Sequence, residues 1–403
     1  MFTTMIRRAM RGAALLAALP AMAFAQPATP PANGPLPPAT LRAFADTVGL
    51  LHSSYVKPVS NEELLWAAIR GMVREIDPEG GEVFLPSEMG AAPSSTNGLG
   101  GVGLEMMARD GVVIVVAPLL GSPARAAGIR PKDVLVSIDG VPVGARTAWA
   151  VKALRGPLGS VVEVGVRSPS AEGLRTLRLE RRRIEPRMVE LSMWDDKIAV
   201  LRVPGFMATT VAMVAKELAT QWQRRPFGTL VIDLRHNGGG LLEASVGVAS
   251  LFLPANAMVA ETEGRIASVN AVYLADLKRY GGSAPVPELP SAFREMPIVV
   301  LVDEGTASGA EILASALRDN GRARIVGRTT FGRASIQTVQ AVGQDLAIKF
   351  TAAQWYPPSH RNLDKVGIVP DLTTDNGNEK SELEAAVLEA RRLMGTKKVD
   401  RGL

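Results

Sequence analysis

The chain has 403 residues, 47% of them hydrophobic and 21% charged, enough for two or three domains that each bury a core. Its formal charge of +5 falls to +2 once Arg7, Arg8 and Arg11 are set aside with the leader described next, and no aromatic-studded basic stripe accompanies it, so no nucleic-acid partner is expected. With no cysteine, disulfides, lipid-modified cysteine anchors, thiol nucleophiles and thiolate metal sites are excluded.

At the N-terminus, Arg7, Arg8 and Arg11 precede a short apolar run, Gly12 to Phe24, interrupted by Pro20. Ala23-Phe24-Ala25 supplies a small-x-small cleavage pattern. This predicts a signal peptide over residues 1–25, cut near Ala25-Gln26, and an exported, periplasmic protein; the alternative is an uncleaved N-terminal membrane anchor. The run is short for a bilayer, and no later stretch is apolar enough to span one, so no membrane span is expected after cleavage. Residues 26–39 are a Pro-rich linker. A helical N-terminal region follows at 40–97. Leu41, Phe44, Val48 and Leu51 fall at helical spacing, as do Leu64, Leu65, Ala68, Ile69 and Met72. Asn61 with Glu62 and Glu63 reads as the cap and first turn of the second helix. A Pro/Gly/Ser-rich stretch, Asp77 to Gly101, closes the region.

The next block is rich in strand signals. Gly101-Val102-Gly103-Leu104 precedes an apolar run, Val112 to Ala117. Gly121-Ser122-Pro123-Ala124 opens a small helix to Ala127. Val134 to Ile138 is a buried strand ending in the Asp139-Gly140 turn. Trp149 to Leu154 reads as a helix, and Val161 to Val166 and Leu174 to Leu179 as closing strands. The run Arg181-Arg182-Arg183 reads as a solvated strand end. The order of these pieces, over residues 98–185, resembles a PDZ domain, β-rich with two helices.

From Ile198 the pattern becomes α/β, a core of strands with packed helices that takes in residues 186–375. Ile198 to Val203 is a strand and Thr209 to Gln223 an amphipathic helix. Leu230 to Leu234 is a buried strand running into Asn237-Gly238-Gly239-Gly240, with a helix from Leu242 to Phe252. Ile298 to Val302 and the helix Ala307 to Leu317 repeat the alternation. The intervening 254–297 reads as polar and loop-rich, a flap or an insertion. Residues 376–403 hold a last helix, about 380–394, and a tail. No repeats appear.

The chemistry concentrates in Leu301-Val302-Asp303-Glu304-Gly305-Thr306-Ala307-Ser308-Gly309-Ala310-Glu311. A strand delivers a tight small-residue turn, and Ser308 opens a helix whose amides can stabilise an oxyanion. A serine there is also an ordinary N-cap, and the segment alone leaves both readings open. The longer run from Asp303 to Thr338 resembles the nucleophile and base region of the S41 family of C-terminal processing peptidases. Asp233 to Gly240 is similar to that family's glycine-turn signature. The resemblance covers nearly all of the chain beyond the leader, with the PDZ domain inserted between the helical region and the core.

That resemblance implies Ser308 as nucleophile and the amides of Gly309 and of Gly238 or Gly239 as the oxyanion hole. It implies Gln337 as the residue orienting the base, and matches Asp319 to an acid sometimes assigned to the charge relay, although its place at the helix C-terminus reads as structural. Gly101, Val102, Gly103 and Leu104 match the loop whose amides hold a substrate's terminal carboxylate. Glu311 reads as a first-turn charge favouring the helix N-terminus. The family's base lysine is replaced by Arg333, 25 positions after Ser308 and following Thr330-Phe331-Gly332. A buried lysine can be made neutral and accept a proton; a guanidinium cannot. Lys349 reads as structural, His236 as a candidate substitute base, and His52 and His360 as surface or loop residues. Asp77-Pro78-Glu79-Gly80 is a second departure, where the family has Asp-Pro-His-Ser. No cofactor or metal is implied, because three scattered histidines show no ligand spacing.

Two functions follow. One is an exported serine endopeptidase that takes protein or peptide C-terminal tails in its PDZ groove and cleaves through Ser308. The other is a pseudo-protease of the same fold, binding tails as an adaptor or regulatory partner. A homo-oligomer is compatible with either.

Overall fold

The computed structural model describes residues 36–84, 99–169, 173–184, 189–282, 284–343, 346–374 and 378–400. The leader, its cleavage site and most of the linker lie outside the described residues. Helix α1 (Pro38–Ser54) starts two residues before the expected Thr40. Helix α2 (Asn61–Ile76) is capped by Ser60 rather than Asn61: the Glu63 amide donates to Ser60 Oγ at 3.1 Å and the Ser60 amide to Glu63 Oε2 at 2.8 Å. Neither helix buries a residue, and Leu41, Phe44, Leu51, Leu65 and Met72 stay exposed. The Pro/Gly/Ser-rich stretch after α2 contributes strand β1 (Glu82–Phe84).

The PDZ domain begins with β2 (Leu99–Gly100), β3 (Leu104–Arg109) and β4 (Val112–Pro118). Helix α3 (Pro123–Ala126), strands β5 (Val134–Ile138) and β6 (Val141–Pro142), and helix α4 (Thr147–Leu154) follow. Strands β7 (Gly156–Pro157), β8 (Val161–Arg167) and β9 (Arg175–Glu180) complete it. The antiparallel sheet runs β3-β4-β5-β8-β9, with β6 on β5 and β2 paired with β7. Its core gathers Val113, Val115, Leu135, Ile138, Val162, Val164 and Leu179. One expectation fails: Arg181 is buried, donating to the carbonyls of Leu154 (3.2 Å) and Ala153 (2.9 Å), so only part of the Arg181–Arg183 run is solvated.

The α/β core opens with β10 (Glu190–Met193), β11 (Ile198–Arg202), α5 (Thr210–Arg224), β12 (Thr229–Asp233) and α6 (Leu242–Ser250). Residues 254–297, expected as loop, hold strands β13 (Met258–Gly264) and β14 (Ala271–Leu274) and short helices α7 (Leu277–Tyr280) and α8 (Ala292–Glu295). Then come β15 (Ile298–Val302), α9 (Gly309–Asp319) and β16 (Ala323–Gly327). Strands β17 (Ser335–Val342), β18 (Leu346–Tyr356) and β19 (Leu372–Thr373) precede the last helix, α10 (Glu379–Asp400).

The central sheet has the order β10-β11-β12-β15-β16-β19, parallel from β11 onward. Every residue of β12 and β15 is buried, which is why they read as continuous apolar runs. A second sheet joins β1, β18, β13 and β14, with β17 on β18. In such sheets, ligands bind outside the carboxyl ends of the parallel strands. Three neighbouring connections leave from there: 234–241 after β12, 303–308 after β15 and 328–334 after β16.

Candidate active site

Ser308 sits at the N-terminus of α9 with φ 52° and ψ −117°, a region that L-residues adopt only under constraint. The constraint is Glu311, three residues on and fully buried. Its Oε2 accepts from the amides of Ser308 and Arg333, each at 2.9 Å. Its Oε1 accepts from the Gly332 amide at 2.9 Å and from Thr330 Oγ1 at 2.5 Å. Burial pushes the Glu311 carboxyl up, and these four donors pull against that. The role exceeds the first-turn charge expected from sequence: one carboxyl group clips the Ser308 segment to the 330–333 segment. The Ser-x-x-Glu spacing was its visible signal.

The glycine turn lies against the serine. A Cβ placed on Gly239 would stand 2.8 Å from Ser308 Cβ and 3.0 Å from the Gly309 nitrogen. Gly239 also has φ +109°, which excludes other residues there. Its amide donates to Asn237 Oδ1 at 2.9 Å, so it is already used. The amides of Gly238 and Gly309 have no acceptor among the described residues. Of the two glycines left open by sequence, Gly238 therefore has the spare donor.

Arg333 is half-buried, and its Nε finds no hydrogen-bond partner among the described residues. Burial pushes its guanidinium below the ordinary value; Glu105 and Glu311 raise it, and Arg109 opposes them. Glu105, on β3 of the PDZ domain, escaped the sequence reading. Its Oε2 lies 1.5 Å from where a Gly238 Cβ would stand, so the carboxyl rests directly on the glycine turn. Burial raises its pKa to about 7, with Arg333 pulling the other way. The PDZ strand is held there by Arg109, which donates to the Gly332 carbonyl at 2.8 Å and lies 4.5 Å over the Phe331 ring. Met107, Ile114 and Val116 pack with Ala307 and Phe331 in one apolar cluster across the domain boundary.

Other expected residues fall elsewhere. Asp319 is the last residue of α9, about 16 Å along the axis from Ser308. It accepts from Ser359 Oγ at 2.6 Å, so the structure does not bring it into a relay. Gln337 lies on β17 opposite Thr351, its Nε2 2.7 Å from where a Gly80 Cβ would stand, and no described contact joins it to Arg333. It faces the Asp77–Gly80 turn, whose Asp77 accepts from the Gly80 and Thr351 amides. Lys349 Nζ is 3.5 Å from Glu82 Oε2. His236 is held between two acids, Nδ1 3.0 Å from Asp303 Oδ2 and Nε2 3.2 Å from Glu379 Oε1. His52 Nδ1 donates to the Val59 carbonyl at 2.8 Å, on the surface. His360 pairs with Glu261 and, with Glu263, brings possible ligand atoms within 4.8 Å of one another, a grouping invisible in sequence.

In the loop expected to hold a substrate's carboxylate, Gly101 is tied to Arg182 in both directions, at 2.9 Å each. Gly103 has φ +74°, and the amides of Val102 and Gly103 have no acceptor among the described residues. Leu104 opens β3, one residue before Glu105.

An open parallel sheet with a constrained serine beside a glycine turn, joined to a PDZ domain, defines a serine-peptidase type of architecture. Residues 197–374 match peptidase family S41 and residues 114–168 a PDZ domain. A carboxyl-terminal-processing protease of Picosynechococcus is 33% identical over 80% of this chain and 76% of its own length. A carboxy-terminal-processing protease of Bartonella bacilliformis is 29% identical over 83% and 75%. The solved structure of a photosystem II D1 C-terminal processing protease superimposes with a TM-score of 0.69 at 27% identity, covering 89% of this chain and 98% of that one. The chain belongs to the S41 peptidase family, in its PDZ-containing, C-terminal processing branch.

Proposed function

We propose that the protein is an exported serine endopeptidase that binds substrate C-termini at Gly101–Leu104 and cleaves by acyl transfer through Ser308. The observation that carries the reading is the packing of the strained Ser308 against the glycine turn, with the amides of Gly238 and Gly309 free to hold an oxyanion. Export rests on the Arg7–Ala25 leader; among the described residues no helix is long and apolar enough to cross a membrane. The uncovered apolar side chains of α1 and α2 support self-association.

The second reading is a pseudo-protease that binds tails as an adaptor. Arg333 favours it, because its guanidinium stays charged at any working pH. Purified protein and Ser308→Ala are incubated with an unfolded substrate ending in an apolar residue, and products are followed by mass spectrometry. Cleavage by the unaltered protein alone supports the peptidase. Absence of cleavage in both, with tail binding intact, favours the adaptor.

A further inference from the structure

We propose that Glu105, carried into the cleft by the first long PDZ strand, is the general base for Ser308 in place of the lysine that Arg333 displaces. The inference rests on the peptidase reading above and names a further catalytic residue of that same site.

The other titratable groups around the serine are engaged. Both oxygens of Glu311 serve four donors. Each ring nitrogen of His236 lies beside a carboxylate. Asp319 is at the far end of α9, and Lys349 is with Glu82. Glu105 differs from all of these. No hydrogen bond holds its carboxyl among the described residues, so its lone pairs are available. It presses on Gly238, the immediate neighbour of the glycine that abuts Ser308 Cβ. Glycine at 238 leaves the room in which this carboxyl rests against the turn. The charge that acts on Glu105 is Arg333, and behind it stand Arg109 and Glu311. Arg333 favours the ionised carboxylate, against the burial that disfavours it. Burial raises the Glu105 pKa to about 7, near the optimum for a base at neutral pH.

The proton count closes. Glu105 takes the Ser308 hydroxyl proton as the Oγ–carbonyl carbon bond forms, and the electron pair of the carbonyl moves to an oxyanion at the Gly238 and Gly309 amides. Collapse breaks the C–N bond, and Glu105 returns the proton to the leaving amine. A water molecule then gives its proton to the same carboxylate, adds to the acyl-enzyme, and Ser308 recovers its proton.

The test uses the full mature chain, a substrate ending in an apolar residue, and pH 5 to 9. Wild type, Ser308→Ala, Glu105→Gln and the double variant Glu105→Gln/Arg333→Lys are compared. The expected result is Ser308-dependent cleavage whose rate rises through one limb near pH 7. Glu105→Gln lowers kcat by about 10²–10⁴-fold and removes the limb, while tail-peptide affinity is unchanged. The double variant regains cleavage, its lysine now serving as base. Glu105→Gln cutting within a few-fold of wild type, with Ser308→Ala inactive, overturns the assignment and leaves the peptidase intact. A wild type with no Ser308-dependent cleavage overturns the peptidase reading and this inference together. If Glu105→Gln loses tail binding through misfolding, the wild-type profile decides, and a rate flat between pH 6 and 8 overturns the assignment.

Discussion

The amides of Ser308 and Arg333 donate to the same oxygen of Glu311, each at 2.9 Å. One buried carboxyl thus holds together the ends of two connections that leave neighbouring strands, β15 and β16, and sustains the strained backbone at Ser308. Glu311→Ala strands four donors inside the protein. At about 1–3 kcal/mol for each unsatisfied buried group, the expected loss is at least about 3 kcal/mol, read as a lower urea midpoint. Glu311→Gln keeps one acceptor oxygen and should fall between. A variant as stable as wild type would show that the clip is not what orders the site.

Arg333→Lys asks how much of the family's ordinary chemistry the pocket retains. The site half-buries position 333, and desolvation lowers the pKa of a lysine there, moving it toward a neutral, proton-accepting amine. Cleavage should rise at least tenfold at pH 8 and survive the loss of Glu105. No gain would mean that the position-333 side chain cannot reach Ser308.

Sequence legibility followed burial. Strands β12 and β15, buried at every position, announced themselves as apolar runs, and the turns after them carried the serine and the glycines. Strands β13 and β14 lie at one side of the second sheet with mixed faces, and the outward Glu261, Glu263 and neighbouring polar residues made 254–297 look like loop. Arg181 looked solvated because sequence cannot show that backbone carbonyls of α4 wait for it. Glu105 was hidden for a different reason: its meaning comes from docking one domain on another, through Arg109, Phe331 and Met107, which no local spacing encodes.

Glu105 also gives stability a pH dependence of definite sign. Its folded pKa of about 7 exceeds the ordinary glutamate value of 4.5, so the folded chain holds the proton more tightly. The stabilisation is complete below about pH 4.5 and is lost as pH rises through 7. Between pH 5 and 8, wild type should lose on the order of 1–3 kcal/mol relative to Glu105→Gln, measured by urea unfolding at both pH values. A loss on acidification instead would contradict the buried carboxyl.

Asp303 gives the opposite slope. Burial pushes its carboxyl up, but His236 and Arg328 outweigh that and bring it down to about 2. Its Oδ1 accepts from the amides of His236 and Gly305 at 2.9 and 3.0 Å, fixing the turn that leads to Ser308. This stabilisation is present above the unfolded value of 3.8 and is lost as pH falls toward 2, about 2 kcal/mol in all. His236 has φ +58°, which asparagine tolerates. His236→Asn should therefore lower stability at neutral pH while leaving the shape of the pH–rate profile unchanged. A lost limb near pH 7 in that variant would transfer the base role from Glu105 to His236.

Tail recognition can be separated from chemistry at Gly103. Its φ of +74° is costly for any other residue, and a Cβ there would stand 2.3 Å from Ser122 Cβ, so Gly103→Ala must shift the loop. The amides of Val102 and Gly103, without an acceptor among the described residues, would then be displaced from their present positions. Fluorescence titration with an apolar-ended peptide, free acid against amide, should show a clear preference for the acid in wild type and little in Gly103→Ala. Small ester hydrolysis, which needs Ser308 but no tail, should change far less. Equal affinity of wild type for acid and amide would remove carboxylate recognition from this loop, and with it the reason for a processing enzyme to start from the C-terminus.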